Sequence, residues 1–260
     1  MANQVVSLNY SEAGQGTPVV LLHGFPLSAA IWNEQRTRLS DHYRVITPDL
    51  RGHGQSPAPP GVYEMDLLAR DVFGLLDALA IKKAVILGHS MGGYVALAGW
   101  RLAPERFLAL GLVASQAGAD TEEGRQGRYK MGDKVAAEGS KVMAEAMLPK
   151  LFAPKLPAEA PIAAQVRGLI LNTPPVGIIG SLKGMAVRPD SGPLLPTVTI
   201  PALVLAGDQD QIIAPSKAQA MAAAMPQATL ATIENAGHMP MLEQREATTN
   251  AIRAFLGRSA

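Results

Sequence analysis

Residues 85–93 read Val-Ile-Leu-Gly-His-Ser-Met-Gly-Gly and decide the fold of this 260-residue chain. The apolar run predicts a buried parallel strand, and residues 94–100 after it have helical composition, so Ser90 is predicted to lie on a tight strand-to-helix turn. Side chains at Gly88 and Gly92 would collide in such a turn, which holds its central residue in a strained conformation with the hydroxyl pointing outward. The pattern makes Ser90 a candidate nucleophile.

A serine hydroxyl becomes an effective nucleophile only beside a base, usually a histidine that a carboxylate orients. His238 lies in a loop after a predicted strand at 228–233, with a glycine before it and a proline soon after, which favours a fixed non-helical backbone. Another buried strand is predicted at 201–207 and is followed by Asp208 and Asp210, at the end where open parallel sheets place their ligands. The spacing alone leaves both aspartates open as the partner of His238.

The order Ser90, then Asp208 or Asp210, then His238 resembles the triad of serine hydrolases with the α/β-hydrolase fold. The resemblance covers nearly the whole chain and rests on five segments: 19–26 (VVLLHGFP), 49–56 (DLRGHGQS), 88–92 (GHSMG), 207–210 (GDQD) and 237–238 (GH). In family members with a Gly-x-x-Asp segment the second acid is usually the triad member. The resemblance therefore implies Asp210, with Asp208 as a turn residue that caps local N–H groups.

The resemblance also implies an oxyanion hole formed by the backbone N–H groups of Phe25 and Met91. Such preorganised donors stabilise the charged oxygen of a tetrahedral intermediate. The other histidines receive structural interpretations: His23 and His53 in their loops, His89 beside the nucleophile but on the wrong side of the strand, and His42 at the surface. The chain has no cysteine, no histidine and carboxylate cluster with metal spacing and no phosphate-binding loop, so we expect neither a metal nor a cofactor.

Strand-like and helix-like segments alternate along the first half of the chain. A hairpin or strand pair is predicted within residues 4–14; further strands are predicted at 18–23, 43–48, 84–89 and 108–114, and helices at 29–40 and 63–79. This alternation implies a mostly parallel, doubly wound sheet that is covered on both faces. The fold class is therefore predicted as α/β, with an α/β-hydrolase core.

Residues 119–193 interrupt the alternation with short helices that prolines separate. We predict that this segment is a helical lid inserted into a core domain made of residues 1–118 and 194–260. Its charge-poor composition predicts an apolar underside above Ser90. The candidate pocket residues are Leu148, Ile178 and Ile179 from the lid and Trp32 from the core.

The composition indicates an ordinary enzyme rather than a nucleic-acid or membrane protein. Lysine and arginine number 23 against 22 acidic residues, and the basic residues are scattered, so no nucleic-acid partner is expected. The apolar runs are short, and the first residues lack a basic stretch followed by an apolar core. We expect a cytoplasmic protein without membrane segments, and the sequence leaves its oligomeric state open.

A serine nucleophile favours acyl chemistry, and the family resemblance is to small carboxylesterases and enol-lactonases. We expect a small, mainly uncharged ester or lactone as the substrate. One alternative is an enol-lactonase or carbon–carbon bond hydrolase of aromatic catabolism, whose acidic substrates would favour a lid arginine: Arg125, Arg128, Arg167 or Arg188. An alternative of another class is a ligand receptor that retains the triad and hydrolyses its ligand slowly.

Overall fold

One sheet organises the chain in the computed structural model, which describes residues 4–157 and 160–259. Seven strands of this part of the chain lie in the order β1-β3-β2-β4-β5-β6-β7. The strands are β1 (Tyr10–Ala13), β2 (Thr17–Leu22), β3 (Tyr43–Pro48), β4 (Ala84–His89), β5 (Phe107–Val113), β6 (Ala202–Gly207) and β7 (Ala228–Ile233). Every neighbouring pair is parallel except β1 with β3, which confirms the predicted mostly parallel sheet.

Helices connect these strands. They are α1 (Asn33–Leu39), α2 (Met65–Ala78), α3 (Met91–Leu102), α4 (Glu122–Glu138), α5 (Lys141–Leu151), α6 (Pro161–Asn172), α7 (Pro175–Ala186), α8 (Pro215–Ala224), α9 (Pro240–Glu243) and α10 (Arg245–Ser259). A 3₁₀ turn, Ala29–Trp32, precedes α1. All residues of β4 and β6 are buried, as expected for parallel strands with packed layers on both faces.

The prediction of a hairpin or strand pair within residues 4–14 is wrong. This segment supplies one strand, β1, and β1 pairs antiparallel with β3, from Tyr10 opposite Pro48 to Ala13 opposite Val45. The reason is the position of the turn. The residues with positive φ, Gly14 and Gly16, lie beyond β1, so the chain reverses only after the strand has ended.

The segment between β5 and β6 contains α4, α5, α6 and α7. Pro161 and Pro175 begin α6 and α7, where a proline is tolerated because the first N–H of a helix has no intrahelical partner. The prolines of this segment do not all separate helices as predicted, because Pro149 lies inside α5, near its end. The predicted lid range 119–193 also contains residues 158–159, which lie outside the described residues.

Helix α7 lies directly on the core through a face of glycines. A Cβ built on Gly177 would lie 1.9 Å from the carbonyl oxygen of Gly52, and one on Gly184 would lie 1.7 Å from that of Tyr63. The Tyr63 N–H donates to the carbonyl of Gly180 at 3.0 Å. Larger side chains would push this helix away, so the glycines fix how closely the inserted segment approaches the core.

The sheet brings three chain segments to one edge. Ser90 follows β4, the loop with Asp208 and Asp210 follows β6, and the loop with His238 follows β7. Because these strands are parallel, their carboxyl ends lie at the same edge of the sheet.

Candidate active site

Ser90 occupies a strained turn between β4 and α3. Its backbone has φ 49° and ψ −113°, a conformation rare for a residue with a side chain. A Cβ on Gly88 would lie 2.1 Å from the carbonyl oxygen of Gly92, which confirms that the turn excludes larger residues at that position. The Ser90 N–H donates to the carbonyl of Val113 at 2.8 Å, and the Ser115 hydroxyl donates to the carbonyl of Ser90 at 2.9 Å. The backbone of Ser90 is therefore held on both sides.

Asp210 and His238 meet in a buried hydrogen bond. His238 Nδ1 and Asp210 Oδ2 are 2.8 Å apart, and both side chains are almost fully buried. The other carboxylate oxygen, Oδ1, accepts the N–H groups of Ile212 at 2.8 Å and Ile213 at 2.9 Å. Because a carboxylate accepts here, Nδ1 carries the proton, and Nε2 is left as the basic nitrogen of the ring.

Asp208 has a different environment. Its side chain is exposed, and its Oδ1 accepts the N–H of Ala236 at 3.2 Å. It therefore caps the loop that contains His238, as expected for a turn residue, and it is Asp210 that contacts the imidazole.

His89 contributes a contact that sequence reasoning did not find. Its buried Nε2–H donates to the carbonyl of His238 at 2.8 Å, and the two ring centroids are 4.9 Å apart. Because His89 directly precedes Ser90, this bond links the Ser90 turn to the His238 loop. Burial and repulsion from His238 lower the pKa of His89 well below its usual value, so the His89 ring is neutral. No pattern in the sequence indicates the contact, since it joins a side chain to a distant backbone carbonyl.

The loop proposed for the oxyanion hole lies against Ser90. A Cβ on Gly24 would lie 3.1 Å from Cβ of Ser90, so the chain before Phe25 passes close to the candidate nucleophile. Met91 is the first residue of α3, where backbone N–H groups lack intrahelical partners and the helix dipole favours negative charge. Gly24 and Met91 both lie beside Ser90, and the role of the Phe25 and Met91 N–H groups in binding an oxyanion stays a prediction.

His23 and His53 are fully buried, as their structural interpretation requires. His23 Nδ1 donates to the carbonyl of Gly24 at 2.9 Å, and its Nε2 accepts the N–H of Leu50 at 2.8 Å. His53 Nδ1 donates to the carbonyl of Arg51 at 2.9 Å. Burial, reinforced by the neighbouring His23, lowers the pKa of His53 to about 3.

The lowered pKa of His53 predicts a loss of stability in mild acid. The unfolded chain binds a proton at this histidine below about pH 6.5, whereas the folded chain does not until about pH 3. The free energy of unfolding should therefore fall by about 1.4 kcal/mol per pH unit for this group as the pH drops through that range. Guanidinium denaturation at a series of pH values measures the slope.

The matched variants for this measurement are His53→Gln and His42→Gln. Removing His53 should flatten the slope by about 1.4 kcal/mol per pH unit, whatever it does to stability at neutral pH. The His42 side chain is 70% exposed, so its removal should leave the slope unchanged. Equal slopes for the wild type and the His53 variant would contradict a neutral buried His53.

The candidate pocket residues differ in their surroundings. Leu148 lines a cavity of about 290 Å³ whose other lining residues are Pro149, Phe152, Ala153, Pro154, Leu156, Pro157 and Ala163. Ile179 is partly buried against the core. Trp32 and Ile178 are fully buried members of the hydrophobic core, and the Trp32 ring makes an edge contact with His89. The structure therefore places only Leu148 at this cavity, and the pocket assignments stay predictions.

The lid arginines considered for acidic substrates have partners or lie at the surface. Arg128 and Arg188 both pair with Asp120, the latter at 2.7 Å, and Arg125 pairs with Glu122 at 2.8 Å. Arg188 also lies over the ring of Tyr94, 4.2 Å from its centroid. Arg167 is exposed. Arg125, Arg128 and Arg188 therefore have carboxylate partners, with Arg128 and Arg188 sharing the single carboxylate of Asp120.

Glu243 is a second residue that sequence reasoning missed. Its Oε1 accepts the N–H groups of Gly237 at 2.9 Å and Met239 at 3.1 Å, the two neighbours of His238. Its Oε2 accepts the N–H of Ala153, which follows α5, at 2.7 Å. An acidic residue in the turn after a candidate histidine is a signal that could have pointed to it.

In residues 4–157 and 160–259, three or more His, Cys, Asp or Glu side chains never gather in a group that could hold a metal ion. The helices of the same ranges are all too short or too polar to span a bilayer.

Comparison with known proteins decides the family. The model of the alpha/beta hydrolase family matches residues 19–251. The chain belongs to this family. This alpha/beta hydrolase is 31% identical over 261 residues to 3-oxoadipate enol-lactonase 2 from Acinetobacter baylyi, an alignment that covers 98% of this chain and 95% of that protein.

Solved structures agree with this assignment. A thermophilic esterase from Thermogutta terrifontis, determined with malate bound, superposes on this alpha/beta hydrolase with a TM-score of 0.95 and 41% identity, covering 97% of this chain and 93% of that chain. The enol-lactonase from Burkholderia xenovorans LB400 gives a TM-score of 0.89 and 30% identity, with 96% of each chain covered. The protein is therefore a hydrolase with esterases and enol-lactonases among its relatives.

Proposed function

We propose that this protein hydrolyses carboxylic esters of small, mainly uncharged substrates through an acyl-enzyme on Ser90. The observation that carries the proposal is the bond between His238 Nδ1 and Asp210 Oδ2, at a sheet edge that also holds the strained Ser90 turn. This bond leaves Nε2 of His238 free to accept a proton, which is the property a general base needs.

The reaction would proceed in two halves. Ser90 Oγ attacks the ester carbonyl carbon as His238 Nε2 takes its proton, and the N–H groups of Phe25 and Met91 stabilise the oxyanion. Collapse of this intermediate breaks the carbon–oxygen bond, and His238 protonates the departing alcohol. A water molecule then attacks the acyl group, with His238 again as the base, and releases the acid and free Ser90.

We infer the preference for uncharged substrates from three lid arginines that are already engaged in ion pairs. Asp120 pairs with Arg128 and Arg188, and Glu122 pairs with Arg125, so these guanidinium groups already have carboxylate partners. A substrate carboxylate would have to compete with Asp120 or remain without a counter-ion, which is costly in an apolar site.

We assign the segment 119–193 the role of a lid that selects the substrate. The cavity at Leu148 supports this role because of two of its lining residues. The Phe152 carbonyl accepts Gln211 Nε2 at 2.9 Å, next to Asp210, and the Ala153 N–H donates to Glu243, which accepts the N–H groups on both sides of His238. An apolar cavity beside the triad loops suits the alkyl part of an ester.

A chain-length series tests the proposal. Each methylene buried in an apolar pocket should raise kcat/KM about fourfold, the equivalent of about 0.8 kcal/mol, until the pocket is full. We expect kcat/KM for p-nitrophenyl esters to climb over the first few acyl carbons and then to fall. A monotonic fall in kcat/KM from acetate onward would contradict the proposal. So would faster hydrolysis of aromatic substrates that carry a carboxylate than of every neutral ester.

Leu148→Ala should move the optimum of this series to a longer acyl chain, because it enlarges the cavity. Leu171→Ala is the matched control, since Leu171 is 36% exposed on α6 and the substitution removes the same atoms. Ile178 is less suitable for this purpose because it is fully buried, so truncating it would also destabilise the fold.

A lactone substrate is the second candidate. The similarity to two enol-lactonases over almost the whole chain favours it, and a lactone is an internal ester that the same residues could open. Assaying lactones beside the linear esters ranks the two. Counting turnovers in the same assay tests the receptor alternative, because a receptor should stall after about one equivalent of product and an esterase should not.

A further inference from the structure

The end of α5 and the two residues after it make contacts with the loops of the candidate triad. We call residues 151–153 the lid segment. The carbonyl of Leu151 accepts the N–H of His238 at 3.0 Å, and the carbonyl of Phe152 accepts the side chain of Gln211, the residue after Asp210. The N–H of Ala153 donates to Glu243. The packing is close, because a Cβ on Gly237 would lie 2.4 Å from the Ala153 nitrogen.

The Glu243 carboxylate connects the lid segment to both sides of His238. One oxygen accepts the N–H groups of Gly237 and Met239, and the other accepts the N–H of Ala153. Three donors on two oxygens require an acceptor at each oxygen, which a carboxylate supplies and an amide does not. These three N–H groups stabilise the negative charge of Glu243.

We propose that Glu243 is a positioning residue for hydrolysis, which fixes the backbone of His238 and couples it to the lid segment. The proposal rests on the proposed role of His238 as the base. The imidazole must reach the Ser90 hydroxyl within hydrogen-bond distance, and a displacement of about 1 Å at such a group can lower a rate by about 10²-fold.

The environment of Glu243 gives this role a dependence on pH. Burial raises the pKa of Glu243, and the charge of Asp210 adds to the increase. The other titratable or charged residues close in sequence to Glu243 or to the groups bonded around it are Asp208, His238, Lys155 and Arg245. Since the pKa is raised, the carboxylate gains its proton at a higher pH than an ordinary glutamate does, and it then loses its acceptor role at one oxygen.

The test compares Glu243→Gln with Glu246→Gln, which makes the same chemical change at an exposed position on α10. In the folded Glu243 variant, kcat and the rate of fluorophosphonate labelling should both fall by about tenfold or more, with KM changed by less than about twofold. The Glu246 variant should match the wild type. Unchanged kcat in the Glu243 variant, or an equal loss in the Glu246 variant, would overturn the proposal.

The pH profile separates positioning from a general loss of structure. The ratio of wild-type to Glu243→Gln activity should shrink as the pH falls, because the protonated carboxyl of the wild type then resembles the amide of the variant. A ratio that does not change with pH would contradict the proposal. Glu243→Asp, which keeps the charge but is shorter, should also lose kcat; if both variants unfold, Glu243 acts on the fold and the proposal is wrong.

A readout that needs no substrate distinguishes this proposal from the proposed function. Amide hydrogen exchange at Ala153, Gly237 and Met239 should accelerate by about tenfold in Glu243→Gln. If the wild type neither hydrolyses esters nor reacts with the fluorophosphonate, the proposed function fails, while this exchange still measures the hydrogen bonds that Glu243 accepts. Unchanged exchange at all three amides would refute the proposal that Glu243 fixes the backbone around His238.

Discussion

Replacing Ser90 with alanine should lower kcat for p-nitrophenyl butyrate by at least about 10³-fold, with residual activity from the oxyanion hole alone. Labelling by a fluorophosphonate probe should disappear entirely, because that reaction forms a covalent bond to the activated hydroxyl. The strained backbone at Ser90, with φ 49°, presents this one side chain between buried neighbours. Stopped-flow or plate assays measure the first effect, and gel fluorescence measures the second.

Ser40→Ala is the control, since it removes a hydroxyl that donates to the carbonyl of Thr37 at the end of α1. It should label and turn over esters like the wild type. The fold should survive in the Ser90 variant, because the bonds that hold this turn involve the backbone of Ser90 rather than its hydroxyl. If Ser90→Ala labels at the wild-type rate, another residue is the nucleophile.

The sheet and the Ser90 turn could be predicted because local patterns determine them. A buried parallel strand is a short apolar run, and β4 and β6 fall within a residue of their predicted bounds. The turn at Ser90 needs small residues at fixed positions, and the close approach at Gly88 is visible in the sequence as a glycine. Edge pairing was not predictable in this way, because β1 takes its partner from β3 rather than from its own neighbourhood.

The connections around His238 could not be predicted, because they join side chains to backbone groups far away in the chain. The contact of His89 with the His238 carbonyl spans 149 positions, and that of Ala153 with Glu243 spans 90. Such bonds leave no periodicity and no composition bias. The position of Trp32 was open for a similar reason, since an apolar ring suits a core and a pocket equally well.

The choice between the two aspartates shows where family resemblance and structure supply different information. Asp208 and Asp210 are separated by one residue and follow the same strand, so spacing does not distinguish them. The structure shows Asp210 bonded to His238 and Asp208 bonded to the backbone of Ala236. What Asp210 does for the reaction is then a question for substitution.

Asp210→Asn should lower kcat by about 10⁴-fold, the effect known for loss of the orienting carboxylate in serine proteases. The loss of activity follows from how the new amide must be oriented, which the two hydrogen bonds at Asp210 Oδ1 determine. Because the N–H groups of Ile212 and Ile213 both need an acceptor there, the amide oxygen of the variant will take that position. The amide NH₂ then faces His238 Nδ1 and donates to it, so the ring carries its proton on Nε2 and cannot remove one from Ser90.

Asp208→Asn is the matched control for this prediction, because it makes the same change two residues away. Its amide oxygen can still accept the N–H of Ala236, so kcat should fall by less than about twofold. Measuring kcat and the fluorophosphonate labelling rate of both variants beside their melting temperatures separates a lost base from a lost fold. The opposite ranking, with Asp208→Asn the inactive variant, would transfer the orienting role to Asp208. The bond between Asp210 and His238 would then serve the structure of the loop rather than the removal of a proton from Ser90.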